Sequence, residues 1–231
     1  MSRIAIIPAR GGSKRIPRKN IKEFCGKPIL AYSIEAALKS NLFEEVMVST
    51  DDEEIATIAK QYGASVPFLR SKETSSDFAS TKDVLLEVLS EYNKIGKKFE
   101  TMFCIYSTAP FVTPSVLKEA VNELEKTTCF EIFPVVAFSY PPQRSYVIEN
   151  GYLNFKYPEY LLTRSQDLDK MYHDAGQFYG YNVAEYLKNE GVIRTNIKPI
   201  VLSDMMVQDI DNEEDWAIAE MKYKLMKENN E

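Results

Sequence analysis

Short apolar runs alternate with longer segments whose apolar residues recur at helical spacing through the first 140 residues. That rhythm predicts strands and helices taking turns. Arg3–Ala9, Glu45–Ser49, Val66–Arg70, Thr101–Tyr106 and Glu131–Ser139 read as strands. Helices are expected from Pro28, a residue suited to a first helical turn, to about Asn41, and from about Ser80 to Tyr92. A further helix is expected from Pro114 to about Lys126. Thr50-Asp51-Asp52-Glu53 has the spacing of a capping box, and Gly63 suits a left-handed residue at the end of the helix that follows. Strands alternating with helices argue for an α/β fold, with a mainly parallel sheet and helices on both faces.

The pattern changes at Tyr140-Pro141-Pro142. Asn150-Gly151 between Tyr146-Val147-Ile148 and Tyr152-Leu153-Asn154-Phe155 signals a hairpin. Tyrosines crowd this region, as core packing, a sugar-facing wall or a subunit contact. Gly176–Val183 and Ile200–Leu202 read as further strands. Val207–Ile210 then leads into Asp211-Asn212-Glu213-Glu214, a helix start, and an amphipathic helix running to the C-terminus. Without a repeat or a long linker, residues 1–231 read as one domain.

Composition adds bounds. A 45% hydrophobic, 27% charged chain is an ordinary soluble protein, and no run approaches the ~18 apolar residues of a membrane span. Cys25, Cys104 and Cys129 lack metal-type spacing and read as reduced thiols of a cytoplasmic protein. The single histidine, His173, excludes a His-rich metal site.

Charge locates the chemistry. Arg10, Lys14, Arg15, Arg18 and Lys19 put five cations into ten residues, directly after the first strand. The first 22 residues hold no acid, yet the whole chain has net charge −6. A compact basic loop on an acidic protein implies a local anionic ligand and disfavours nucleic acid. Gly11 and Gly12 allow close backbone approach, so Gly11, Gly12 and Ser13 are candidates to meet phosphate oxygens beside Arg10 and Lys14. Neither a Walker P-loop nor Gly-x-Gly-x-x-Gly is present, which weakens kinase, GTPase and dehydrogenase readings. Asp209-Ile210-Asp211 would direct two carboxylates the same way at a strand end, a pattern suited to magnesium with substrate phosphates. Asp211 with Glu214 equally fits a capping box. His173-Asp174 could be a base with its orienting partner, or a structural pair. Arg164, Gln166 and Asp167 form a polar cluster suited to a carboxylated, hydroxyl-rich ligand, or a hydrogen-bonded turn.

Residues 6–20, Ile-Ile-Pro-Ala-Arg-Gly-Gly-Ser-Lys-Arg-Ile-Pro-Arg-Lys-Asn, resemble the signature of the cytidylyltransferases that activate nonulosonic acids, the sialic acid family. Ser49-Thr50-Asp51, Arg70, Ser76–Thr81, Thr108-Ala109-Pro110, Arg164–Leu168 and Asp209–Asp211 follow in that family's order. Tyr140-Pro141-Pro142-Gln143-Arg144 and Tyr172–Tyr179 look most like its branch acting on pseudaminic acid. The resemblance implies a Rossmann-like nucleotidyltransferase domain, with residues 140–175 as a β-rich arm reaching a partner in a homodimer. It implies CTP and a nonulosonic acid as substrates, Mg2+ at Asp209 and Asp211, and pyrophosphate as the leaving group. Arg10, Lys14 and Lys19 would hold the phosphates. Asn20, Arg70, Ala79 and Thr81 would surround cytosine and ribose. Tyr106, Arg164, Gln166, His173 and Tyr179 would face the sugar. Alternatives are a sialic or legionaminic acid substrate, or a nucleotide-sensing module without turnover.

Overall fold

In the computed structural model of the chain, which describes residues 1–228, the four central residues of β1 (Arg3–Pro8) are fully buried. Their side chains alternate between two cores, as a strand's must. Ala5 and Ile7 enter one core; Ile4 and Ile6 enter the other. The chain continues through the two-residue strands β2 (Glu23–Phe24) and β3 (Lys27–Pro28), α1 (Ile29–Ser40), β4 (Glu45–Ser49) and α2 (Glu53–Gln61). There follow the single turn α3 (Lys72–Ser75), α4 (Thr81–Lys94), β5 (Thr101–Ile105), α5 (Pro114–Lys126) and β6 (Glu131–Ala137). Then come the hairpin β7 (Tyr146–Glu149) and β8 (Tyr152–Phe155), β9 (Tyr172–Asp174), β10 (Phe178–Asn182), α6 (Val183–Lys188), β11 (Ile197–Leu202) and α7 (Glu213–Glu228).

The seven-stranded sheet has the order β11-β6-β10-β5-β1-β4, with β9 also on β6. β11, β6, β5, β1 and β4 run one way; β10 and β9 run against them. Helices cover both faces. Residues of α1, α2 and α5 pack with Ala5 and Ile7, and residues of α4 and α6 with Ile4 and Ile6. β9 and β10 follow one another along β6, broken at Ala175-Gly176-Gln177, where Gly176 takes φ +63°. Pro134 of β6 lies beside this break, and its carbonyl accepts Ala175 N–H at 3.0 Å. Ala175 and Gly176 of the break line a cavity together with Val136 and Tyr106.

Three expectations need correction. Val66–Arg70 is not a strand: Pro67 has no N–H for a ladder, and pairing stops at a single bridge between Ser65 and Met47. The cap of α2 is Asp52, which accepts from Glu54 N–H and Ile55 N–H, so Thr50 and Glu53 form no capping box. Val207–Ile210 is irregular rather than a strand end. The last three residues of the helix expected to reach the C-terminus lie outside the described residues.

A third apolar cluster is the one that positions chemistry. Phe24, Tyr32 and Trp216 pack edge to face, with ring centroids 5.5 Å apart in the Phe24–Tyr32 and Phe24–Trp216 pairs. Ile16 of the basic loop and Ile210 of the Asp-Ile-Asp segment, each 1% exposed, bury into the same cluster. Two segments nearly 200 residues apart are thus clamped by their apolar members, leaving the flanking charges outward. The arm is held differently. Asn150 and Gly151 both take positive φ, as a two-residue hairpin turn requires, while Tyr146, Ile148, Tyr152 and Leu153 stand exposed on its strands. Among the described residues no helix is long and apolar enough to cross a membrane.

Candidate active site

The basic loop leaves the C-terminal end of β1, where open α/β sheets bind ligands. It is folded around buried Asn20, whose side-chain amide donates to Arg10 O at 2.8 Å and accepts from Ser107 Oγ at 2.8 Å. Gly11 packs so closely on Asp52 that a Cβ there would lie 2.7 Å from the carboxylate. Its N–H donates to Asp51 Oδ1 at 2.9 Å, so this amide is not turned toward a phosphate as expected. Arg18, left-handed at φ 55°, binds Asp52 and, at 2.5 Å, Glu54, fixing the far side of the loop. Of the five clustered cations, this one is structural.

The Arg18 guanidinium holds the Asp52 carboxyl down to about 2. A depressed carboxylate contributes stability above its ordinary pKa and loses it as pH falls through the folded value. Asp52→Asn is therefore expected to cost about 1–2 kcal/mol at pH 7 after allowing for solvent screening, and about half that at pH 3. Urea unfolding at the two pH values measures this; a cost that does not shrink would contradict the pairing.

The remaining cations face a cleft of about 510 Å³. Arg10, Ser13, Lys14 and Lys19 line it, together with Asn20, Arg70, Ala79, Thr81 and Tyr106. Gly11 and Gly12 shape the loop from behind and do not line it. Arg70 is half-buried, its Nη2 donating to Ser49 O at 2.6 Å, and burial lowers its pKa. Arg10 Nη1 pairs with Asp77 Oδ1 at 2.9 Å, and Lys14 with the other oxygen of the same carboxylate, lowering the Asp77 pKa. Asp77 is thus a carboxylate standing where an anion would be held.

Asp209-Ile210-Asp211 lies beside this cleft without lining it, tied to two of its cations. Lys19 Nζ donates to Ile210 O at 2.7 Å and lies 3.9 Å from Asp211 Oδ1, and Arg15 pairs with Asp211 Oδ2 at 2.6 Å. Burial lowers the Lys19 pKa, opposed by the charge of Asp211. The capping reading of Asp211 is corrected here. Asn212 caps α7 by accepting from Glu214 N–H and Asp215 N–H, while Asp215 accepts Asn212 N–H in return. Asp211 keeps its carboxylate free of capping. Desolvation and the neighbouring charge of Asp211 raise the Asp209 pKa, and Asp209 forms no ion pair among the described residues. Asp209, whose ionisation is opposed by burial and by its neighbour's charge, suits a divalent cation, which would relieve both. Among the described residues no group of three or more His, Cys, Asp or Glu is arranged for a metal, so phosphates and water would complete any such shell.

A second cavity of about 570 Å³ adjoins the first through Tyr106, which lines both. His173, Asp174, Tyr179 and Asp209 line it. The His173-Asp174 pair does not form a dyad: His173 Nδ1 lies 2.9 Å from the Asp174 carbonyl, and the carboxylate turns to Tyr179 Oη at 2.7 Å. Arg164 and Gln166 are exposed on the arm and line neither cavity, with Arg164 Nε bonded to Asp167 at 2.8 Å. Arg15, Asp77 and Ser107 were absent from the expected site residues, and Asp174 was expected only as a partner of His173. Arg15 and Asp77 lay inside the basic-loop and Ser76–Thr81 motifs; the place of Ser107 depends on its contact with Asn20 across the fold.

A sheet whose first strand delivers a cation-lined cleft at its C-terminal end defines a nucleotide-binding α/β protein. Residues 4–195 match the cytidylyltransferase family, and the chain belongs to it. It is 42% identical over 229 residues to the pseudaminic acid cytidylyltransferase of Campylobacter jejuni, covering 97% of each chain. It is 34% identical to the CMP-N,N'-diacetyllegionaminic acid synthase of Legionella pneumophila, over 99% of this chain and 97% of that one. A CMP:2-keto-3-deoxy-manno-octonic acid synthetase solved with CTP shares the fold at TM-score 0.72 and 17% identity, over 99% of this chain and 100% of that one.

Proposed function

We propose that this cytidylyltransferase transfers CMP from CTP to a nonulosonic acid, pseudaminic acid in first place, releasing pyrophosphate. The single observation that carries the reading is the Lys19–Ile210 contact of 2.7 Å, which ties the basic loop of the first cavity to the Asp-Ile-Asp segment, whose Asp209 lines the second. Arg10 and Lys14 would exchange Asp77 for the triphosphate, a stronger anion with more acceptor oxygens. Asn20, Arg70, Ala79 and Thr81 would enclose the nucleoside. The anomeric hydroxyl of a sugar in the second cavity would attack the α-phosphorus in line, its proton passing to Asp209 of that cavity's lining, with Lys19 offsetting charge as pyrophosphate departs. Asp209 and Asp211 would hold Mg2+, which when bound supplies further positive charge at the phosphates. The exposed apolar side chains of β7 and β8 suit burial against a second copy. In such a homodimer Arg164 and Gln166 would have a route to the partner's sugar cavity. An in-line displacement of this kind requires no protein nucleophile.

The test is pyrophosphate release from CTP with Mg2+ and, in turn, pseudaminic, legionaminic and N-acetylneuraminic acids. Release with pseudaminic acid at the highest kcat/KM is expected. A preference for another of the three would reassign the sugar, and release with none, despite CTP binding, would favour the nucleotide-sensing alternative.

A further inference from the structure

The second cavity has one-sided electrostatics. Asp174, Asp204 and Asp209 face it, and Lys222 is the one lysine or arginine among its described lining residues. That ammonium is already engaged, donating to Val207 O at 2.8 Å and to Asp204 O at 3.0 Å. The first cavity, across Tyr106, is by contrast lined by Arg10, Lys14, Arg15 and Lys19. A sugar acid spanning the two would lie with its carboxylate and reacting hydroxyl toward the cations, and its remaining substituents toward hydrogen-bond acceptors.

Of those acceptors, Asp174 is the one held ready. Its Oδ1 accepts Gly176 N–H at 2.7 Å, and its Oδ2 accepts Tyr179 O–H at 2.7 Å. Tyr179 is itself fixed between Tyr106 and Phe133, at ring-centroid distances of 5.4 and 5.6 Å. A carboxylate offers about four lone-pair positions, so two of them stay open toward the exposed side, in a geometry that two bonds have already set. Asp204 instead turns to Lys222, and Asp209 is coupled to the neighbouring charge of Asp211. The Legionella relative is named for an N,N'-diacetyl sugar, and such acylamino groups carry amide N–H donors that an acceptor-only side chain can read.

Building on the proposed transfer to a nonulosonic acid, we infer that Asp174 is a specificity-determining residue: its carboxylate accepts a hydrogen bond from an acylamino N–H of the sugar. A bond to a charged acceptor is worth about 10–100-fold in kcat/KM when the donor is present and nothing when it is absent. The experiment compares wild type, Asp174→Ala and Asp174→Asn with pseudaminic acid and with 3-deoxy-manno-octulosonate, which has hydroxyls but no amide. The second sugar is read as substrate or as competitive inhibitor.

Asp174→Ala is expected to lower kcat/KM for pseudaminic acid by about 10–100-fold, with KM for CTP and the affinity for the octulosonate each within about three-fold. Asp174→Asn, which keeps an acceptor oxygen, recovers part of the loss. Equal weakening of both sugars, or a raised KM for CTP, would reduce Asp174 to support for the cavity wall and overturn the assignment. Unchanged kinetics would overturn it as well. Failure of the transfer reading looks different: the wild type itself would release no pyrophosphate with any sugar acid, and the assignment would fall with it.

Discussion

Lys19→Ala lowers kcat by about 10²–10³-fold, the loss typical when one preorganised electrostatic donor is removed from a site of developing negative charge. The structure makes this the sharpest single substitution because, of the two loop cations that reach the Asp-Ile-Asp segment, Lys19 is half-buried where Arg15 is exposed. Its ammonium reaches Ile210 O and Asp211 from the loop. Asp211→Ala is expected to fall as far for the complementary reason, removing a carboxylate that Arg15 and Lys19 hold beside the cleft and that α7 does not need for its cap. Neither substitution touches a buried apolar contact, so circular dichroism and the urea midpoint should stay near wild type. Steady-state pyrophosphate release checks the first part. Near-normal turnover in both variants would remove the electrostatic mechanism.

Trp216→Ala is expected to destabilise the protein by about 3–5 kcal/mol, the usual cost of emptying a large aromatic site in a packed core. Trp216 is 5% exposed and packs edge to face on fully buried Phe24, in the cluster that also takes in Ile16 and Ile210. Its loss frees the two anchors that register the basic loop against Asp209 and Asp211, so kcat should fall together with stability. Leu225, on the same helix and 50% exposed, supplies the control, with an alanine effect within about 0.5 kcal/mol. Denaturant titration of both variants decides the matter. A loss below about 1 kcal/mol at Trp216 would show that the cluster does not carry the load assigned to it.

What the sequence made legible was whatever is encoded locally. Pro114 with Thr113 before it starts α5 at the expected residue, because proline at the first turn and a side-chain cap are neighbours in the chain. Asn150-Gly151 marked its hairpin because both residues tolerate positive φ. The basic loop and the Asp-Ile-Asp segment were readable as charge patterns, and most of the candidate nucleotide residues line one cleft.

The rest depends on distant partners. One proline turned an apolar run at 66–70 into irregular chain. The cap of α7 fell one residue later than its spacing suggested, since Asn212 and Asp215 outcompete Asp211 and Glu214 for the same amides. The reversed direction of β10, and the break at Gly176 beside the second cavity, follow from pairing with β5 and β6. Nothing in residues 172–182 alone encodes that choice. Asp77 and Asp174 acquire their roles only once Arg10, Lys14 and Tyr179 are folded against them.

A crystal structure with CTP and Mg2+ tests the convergence of loop and aspartates most directly. The account predicts the triphosphate against Arg10, Lys14 and Lys19, with Asp77 displaced, and Asp209 and Asp211 facing the α-phosphate side. A nucleotide bound elsewhere, or one whose phosphates point away from both aspartates, would contradict it.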